Sequence, residues 1–458
     1  MKIRIVAVAS LVILVGASAA SAAFTNSSDP VRVSRDADMR IDLPEGEHQA
    51  EPHVSVDPTD PNHLVATAHE GRFFDGGAQS IGAYASWDGG RTWTNALLPD
   101  LTVKTGGEWD RATDPVTGFA ADGTVYINSF AFNMESGDET AVVIHRSDDG
   151  GRTWEGPFIV DSSDTFRQSY DKNWLAVDAS SDSPYQDRIY VAWTNFISGQ
   201  SGSYSGSPLL ISHSDDQGET WTDPIRAART RYAQGALPMV ASDGTVHVVY
   251  VELFKGLLRI TRSTDGGTTF RKSRIVASIV TAGVPGQRTA EDLPSASIDL
   301  SNDTIHVVWQ DARFDGGDVL ATRSRDGGVS WTSPVIVNDD PVGGTQFTPA
   351  VSAGGGTVHV VWYDSRDGRA SDAGGNFWSV HFATSGNGGR TFGSNLNLTP
   401  EPFDIRFAID TQRGKFLGDY IGLAMTATKA YPVWVDTRFP SVWTDADGQN
   451  DVVSARVR

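Results

Sequence analysis

The chain has 458 residues, 47 of them Gly and 13 Trp, no Cys, and a formal charge of −20. Without Cys there is no disulfide framework and no thiolate metal site. A balance this acidic argues against a nucleic-acid partner, whose phosphates demand clustered Lys and Arg.

Lys2 and Arg4 precede an apolar run from Ile5 to Val15, and small residues follow up to Ala23. This basic, apolar, small-residue order predicts a secretory signal over residues 1–23 and an exported mature chain from residue 24. The run is too short to span a bilayer, and no other segment is apolar enough to serve as a transmembrane helix.

One pattern, Ser-x-Asp-x-Gly-x-x-aromatic, governs the remainder. It begins at Ser86 and recurs from Ser147, Ser214, Ser263 and Ser324, with a sixth copy from Ser385 in which Asn387 replaces the Asp. Successive starts lie 61, 67, 49, 61 and 61 residues apart. Ahead of most copies runs a β-branched strand such as Val246–Tyr250 or Ile305–Trp309, itself preceded by a short strand often led by proline (Pro52, Pro115, Pro238, Pro294, Pro349). A further apolar run follows, as in Pro334–Val337. Four strands per repeat predict the blade of a β-propeller, with the pattern in the turn between third and fourth strands. Paired glycines supply the positive φ of a tight turn, while Ser and Asp bond amides that the ladder leaves unpaired.

After the sixth copy, residues 419–425, 431–435 and 451–457 read as three more strands with no fourth. Val31 to Asp36 resembles a fourth strand and precedes the first repeat. The fold expected is therefore all-β: a single seven-bladed propeller over residues 24–458, its ring closed by the N-terminal strand in the last blade.

The pattern resembles the Asp-box, or bacterial neuraminidase repeat, of the sialidase-like propellers. The resemblance implies boxes on the face away from the active site, a Tyr nucleophile paired with a Glu, an Asp acid/base in a first-blade loop, and arginines holding a substrate carboxylate. Tyr420-Ile421-Gly422-Leu423 is similar to the family's Tyr-Ser-x-Leu stretch and nominates Tyr420, with Glu291 as its partner and Asp75 or Glu70 as the acid. The first inner strand reads Ala50-Glu51-Pro52 where the family has Arg-Ile-Pro, so the anion clamp falls to Arg111, Arg313, Arg366 and Arg438. Arg313, Arg366 and Arg438 also fit a repeated Asp-x-Arg clamp that is purely structural. Polar interruptions of the repeat at Asp171, Asp292 and Asp419 are expected at the same mouth.

The function expected is an exported, monomeric, sialidase-like glycoside hydrolase acting on a carbohydrate. A non-catalytic glycan- or protein-binding propeller and a polysaccharide lyase are the alternatives. No cofactor is expected. The Asp445 to Asp451 loop offers oxygens at a spacing a calcium ion accepts, although a plain Asp/Gly turn accounts for it as well. The sequence has no zinc signature of the His-Glu-x-x-His kind.

Overall fold

The computed structural model describes residues 26–34, 48–134, 139–281, 283–284, 286–290, 293–314, 316–340, 344–367, 376–439 and 449–458. The predicted signal, Glu291, Asp292 and Asp445 to Gly448 lie outside these residues. Among the described residues the chain is all-β, with two single-turn 3-10 segments at Val103–Thr105 and Ile405–Phe407 and no helix long and apolar enough to cross a membrane.

The strands form antiparallel units of four in chain order. The first unit runs His53–Val56, Leu64–Arg72, Ala78–Ser86 and Thr94–Leu97, and the second begins at Arg111–Phe119. Further inner strands are Gln168–Val177, Ala233–Val240, Ser295–Asp299, Gln346–Gly354 and Gly422–Met425. Each inner strand lies against the next, and Gly422–Met425 lies against His53–Val56. The last unit takes its outermost strand from the N-terminal region: Val31 pairs with Ser454 and Arg32 with Val453. Asp451, expected near a cation, accepts from Arg32 Nε at 2.7 Å and from the Ser34 hydroxyl at 3.3 Å.

Second strands such as Val246–Glu252 and Thr304–Asp311 are buried throughout, as near-continuous apolar runs require of strands covered on both faces. The largest fully buried side chains include Trp193, Trp309, Trp362 and Trp434, all on second strands, so the core lies between sheets.

The boxes form as their residue types dictate. Asp88 Oδ1 accepts from the Arg91 and Thr92 amides at 2.8 and 3.0 Å and from the Ser86 hydroxyl at 2.9 Å, while Oδ2 accepts from the Thr92 hydroxyl at 2.7 Å. Gly89 and Gly90 stand at φ +72° and +75°. The boxes also join units. His63 Nε2 of the first unit meets Gly150 O of the second box at 2.9 Å, and Arg188 Nη1 donates to Gly266 O of the fourth at 2.7 Å.

Partial burial opposes ionisation of Asp88, but the Thr92, Arg91 and Ser86 donors outweigh it and hold its pKa at about 2. A carboxylate with a folded pKa below its unfolded one stabilises above about pH 4, and that stabilisation is lost as pH falls toward 2. Asp88→Ala is expected to cost about 1–3 kcal/mol in urea unfolding at pH 7. Asp88→Asn should cost less, because Asn387 already makes the equivalent bonds in the sixth box. The gap between wild type and Asp88→Asn should close between pH 4 and 2.

Candidate active site

Four of the inner strands share a local distortion at their leading ends. Pairing breaks between Thr113 and Val116, Asp171 and Trp174, Gln234 and Leu237, and Phe347 and Ala350. Within each break one residue turns left-handed: Asp114, Lys172, Gly235 and Thr348, at φ +53°, +52°, +67° and +50°. Glu51, at φ +56°, stands in the same register ahead of His53. Such bulges re-aim side chains and hold strain that the surrounding sheet must sustain. Here they turn Glu51, Asp114 and Lys172 into one cavity of about 580 Å³, lined also by Arg72, Asp75, Asp171, Gln234, Arg288, Arg413 and Asp419. None of the lining residues belongs to a box.

At its floor, Glu51 Oε2 lies 3.1 Å from His69 Nε2, and Asp114 N–H donates to the same nitrogen at 3.2 Å. Ligand atoms of Glu51, His69 and Asp114 all fall within 4.8 Å of one another. All three side chains are buried, and their protonation is driven apart. Burial opposes ionisation of Glu51, yet the His69 ring, an Asp114 hydrogen bond and Lys172 hold it well below the usual carboxylate range. Burial, then the charges of Glu51 and Asp171, push Asp114 well above it. Burial lowers the His69 pKa too, although Glu51 pulls the other way. The trio has the donor set of a divalent-cation site. Lys172 acts on both carboxylates, and Arg72 and Arg288 act on the ring.

Cations face these acids. Arg72 is 2% exposed, donates to Gly77 O at 2.9 Å and sits 5.1 Å above the Phe416 ring; burial lowers its pKa to about 10. Arg288 lies 4.1 Å from the same ring and reaches Asp419 Oδ2 at 3.2 Å. Lys172 Nζ stands 3.6 Å over the Tyr420 ring and has no hydrogen-bond acceptor among the described residues; Arg72 Nε, Arg288 Nε, Asp419 Oδ1 and Gln234 Oε1 also lack partners. Unpaired buried polar atoms around a cavity are unmet demand for a polar ligand.

The structure brings together Asp75, Asp171 and Asp419 of the expected residues; Glu291 and Asp292 lie outside the described ones. The structure places the others elsewhere. Arg313, Arg366 and Arg438 close onto Asp311, Asp364 and Asp436, each Asp also receiving the indole N–H of Trp309, Trp362 or Trp434. None of these three arginines lines the cavity. Their forks are engaged by these Asp carboxylates, as a structural Asp-x-Arg clamp requires. Arg111 binds Asp75 and donates to Gly76 O at 2.6 Å, bracing the 73–77 loop. Glu70 is fully buried, held by the Tyr84 hydroxyl and by Gln49 Nε2 at 3.0 Å, and does not line the cavity. Tyr420 lies beneath the floor, its hydroxyl donating to Pro115 O at 3.0 Å, and burial together with Glu51, Asp114 and Asp419 pushes its pKa well above the ordinary phenol value. Its hydroxyl is engaged by a backbone carbonyl, and Tyr420 does not line the cavity.

The sequence reading passed over Glu51, His69, Asp114, Lys172 and Arg288 as site residues. One available signal was position: Glu51 and Asp114 each precede the strand-leading proline, in the register that Lys172 occupies in a repeat lacking it.

A family model described as a BNR repeat-like domain matches residues 123–342. No curated protein matches this chain. Among solved structures, the phage phi92 endosialidase aligns at a TM-score of 0.53 and 10% identity, over 95% of this chain and 69% of that one. The Hadza microbial sialidase Hz136 aligns at 0.49 and 14% over 86% and 76%, and a protein of unknown function from Dyadobacter fermentans DSM 18053 at 0.49 and 13% over 94% and 98%. The expected resemblance to the sialidase-like BNR-repeat family is borne out, and the likeness to the endosialidase is one of fold.

Tyr420→Phe is expected to remove one hydrogen bond and orphan Pro115 O, lowering stability by about 1 kcal/mol in urea unfolding. Arg438→Ala should likewise lower stability while leaving ligand affinity at the cavity unchanged.

Proposed function

We propose that this chain is an exported glycoside hydrolase, sialidase-like in fold, that cleaves a glycan carrying a carboxylate-bearing sugar at the mouth of a closed ring of seven blades. Support for the ring comes from the contact of Gly422–Met425 with His53–Val56 and the pairing of Val31–Arg32 with Gln449–Ser454. The observation that carries the chemistry is the pair Glu51 and Asp114: two buried carboxyl groups in one cavity, whose surroundings push the first pKa down and the second up. Such opposed pairs divide acid from base.

Asp114 gives its proton to the leaving glycosidic oxygen, and Glu51 faces the positive charge that develops on the sugar ring, or attacks it. The Arg111 hydrogen bond lowers the Asp75 pKa, which favours Asp114 over Asp75 as the acid in this reading. Arg72, Arg288 and Lys172 hold the substrate carboxylate, the guanidiniums suited to it by their planar forks. A neutral sugar would leave these donors unpaired, which discriminates against it.

Release of sugar from aryl sialosides, uronides and acidic polysaccharides tests the reading. Glu51→Gln and Asp114→Asn should each lower kcat/KM by about 10²–10⁴, and Arg288→Ala should mainly raise KM. The pH profile should be bell-shaped, rising as Glu51 sheds its proton and falling as Asp114 loses its own. Binding without turnover in every substrate class would leave a lectin-like role instead.

A further inference from the structure

A row of aromatic side chains extends outward from the cavity. Phe196, at the end of Ile189–Ser198, lines the cavity together with Leu253. Its ring centroid lies 6.0 Å from Tyr204, which lies 5.8 Å from Tyr232 and 6.2 Å from Phe254; Tyr232 and Phe254 are 5.5 Å apart. Tyr204 is 44% exposed, Tyr232 37% and Phe254 81%. Single exposed aromatics are ordinary, whereas a contiguous exposed set leading out of a polar cavity marks a binding surface.

Two further features single out this patch. Phe254 holds φ at +64°, a conformation a bulky residue adopts only under constraint, and does so with its ring in solvent. The three segments that carry the rings are also tied by backbone bonds. Ser207 N–H donates to Arg231 O at 2.6 Å, Ala233 N–H to Ser207 O at 2.9 Å and Leu253 N–H to Tyr232 O at 3.0 Å. The Tyr204 hydroxyl pairs with that of Ser207 at 2.8 Å. A short strand, Tyr204–Gly206, present in this unit beyond its four, supplies the central ring. The platform is thus built in advance of binding.

We propose that these rings form a sugar-stacking platform for the residues of an extended glycan chain lying beyond the one seated in the cavity. The C–H face of a pyranose is flat and apolar while its rim is hydroxylated, so it covers an aromatic ring without stranding polar groups. Continuity through Phe196 and Leu253 sets the occupant: the same chain whose terminal or internal acidic sugar reaches Glu51 and Asp114. The inference rests on the hydrolase reading for what occupies the cavity, and it narrows the substrate from a small glycoside to an oligo- or polysaccharide.

The test uses the full chain and two acidic series, oligosialic acid and oligogalacturonate, each as the methyl glycoside of the monosaccharide and as the hexamer. Affinity is measured by calorimetry in a Glu51→Gln background and kcat/KM in the unblocked enzyme. In at least one series the hexamer should be favoured by about tenfold over the monosaccharide. Phe254→Ala, and more fully Phe254→Ala with Tyr204→Ala, should erase that preference without changing the monosaccharide values, and Phe254→Trp should restore it. An unchanged preference in Phe254→Ala, or none in either series, overturns the platform. Aromatic-dependent hexamer binding without any hydrolysis keeps the platform and removes the hydrolase; Glu51-dependent hydrolysis indifferent to Phe254 does the reverse.

Discussion

The left-handed step at the head of the inner strands is the constraint on which the rest of the site depends. An undistorted strand would carry its side chains alternately to its two faces. The bulge breaks that alternation at one register, and Glu51, Asp114 and Lys172, from three different units, meet as a result. Non-glycine residues resist this conformation. That Glu51, Asp114, Lys172 and Thr348 all adopt it, three of them immediately before a proline, means that the sheets on either side enforce it.

Charges gathered this way are tolerable only as a set. Asp171 and Asp419 are both pushed upward by burial, each with another acid adding to the effect. Arg72, Arg288 and Lys172 offset them, and aromatic faces at Phe416 and Tyr420 give the cations a further partner. Tyr420 contributes to the mouth as a surface under Lys172 and a brace on Pro115.

Repetition decided what could be read in advance. The boxes, the four-strand rhythm and the Asp-x-Arg turns recur, so their residue types reveal their task, and the pairing of Val31 with Ser454 agrees with the expectation for the terminal strands. The site is legible only where the repeat breaks, as at Asp171 and Asp419. Glu51 and Asp114 escaped because they stand where a proline follows normally and the repeat looks intact. Arg313, Arg366 and Arg438 misled for the opposite reason: a guanidinium near a strand end suggests an anion site until its own Asp, two residues back, is seen to occupy it.

The bond between Arg32 and Asp451 joins positions 419 residues apart in sequence. Contacts so distant form late, because the entropy of closing so long a loop is lost before any pairing compensates it. Until that seam zips, Gln449–Ser454 presents an unpaired strand edge to other copies of the chain. A chain in that state has one sheet unfinished, and a neighbour's leading strand fits the same edge.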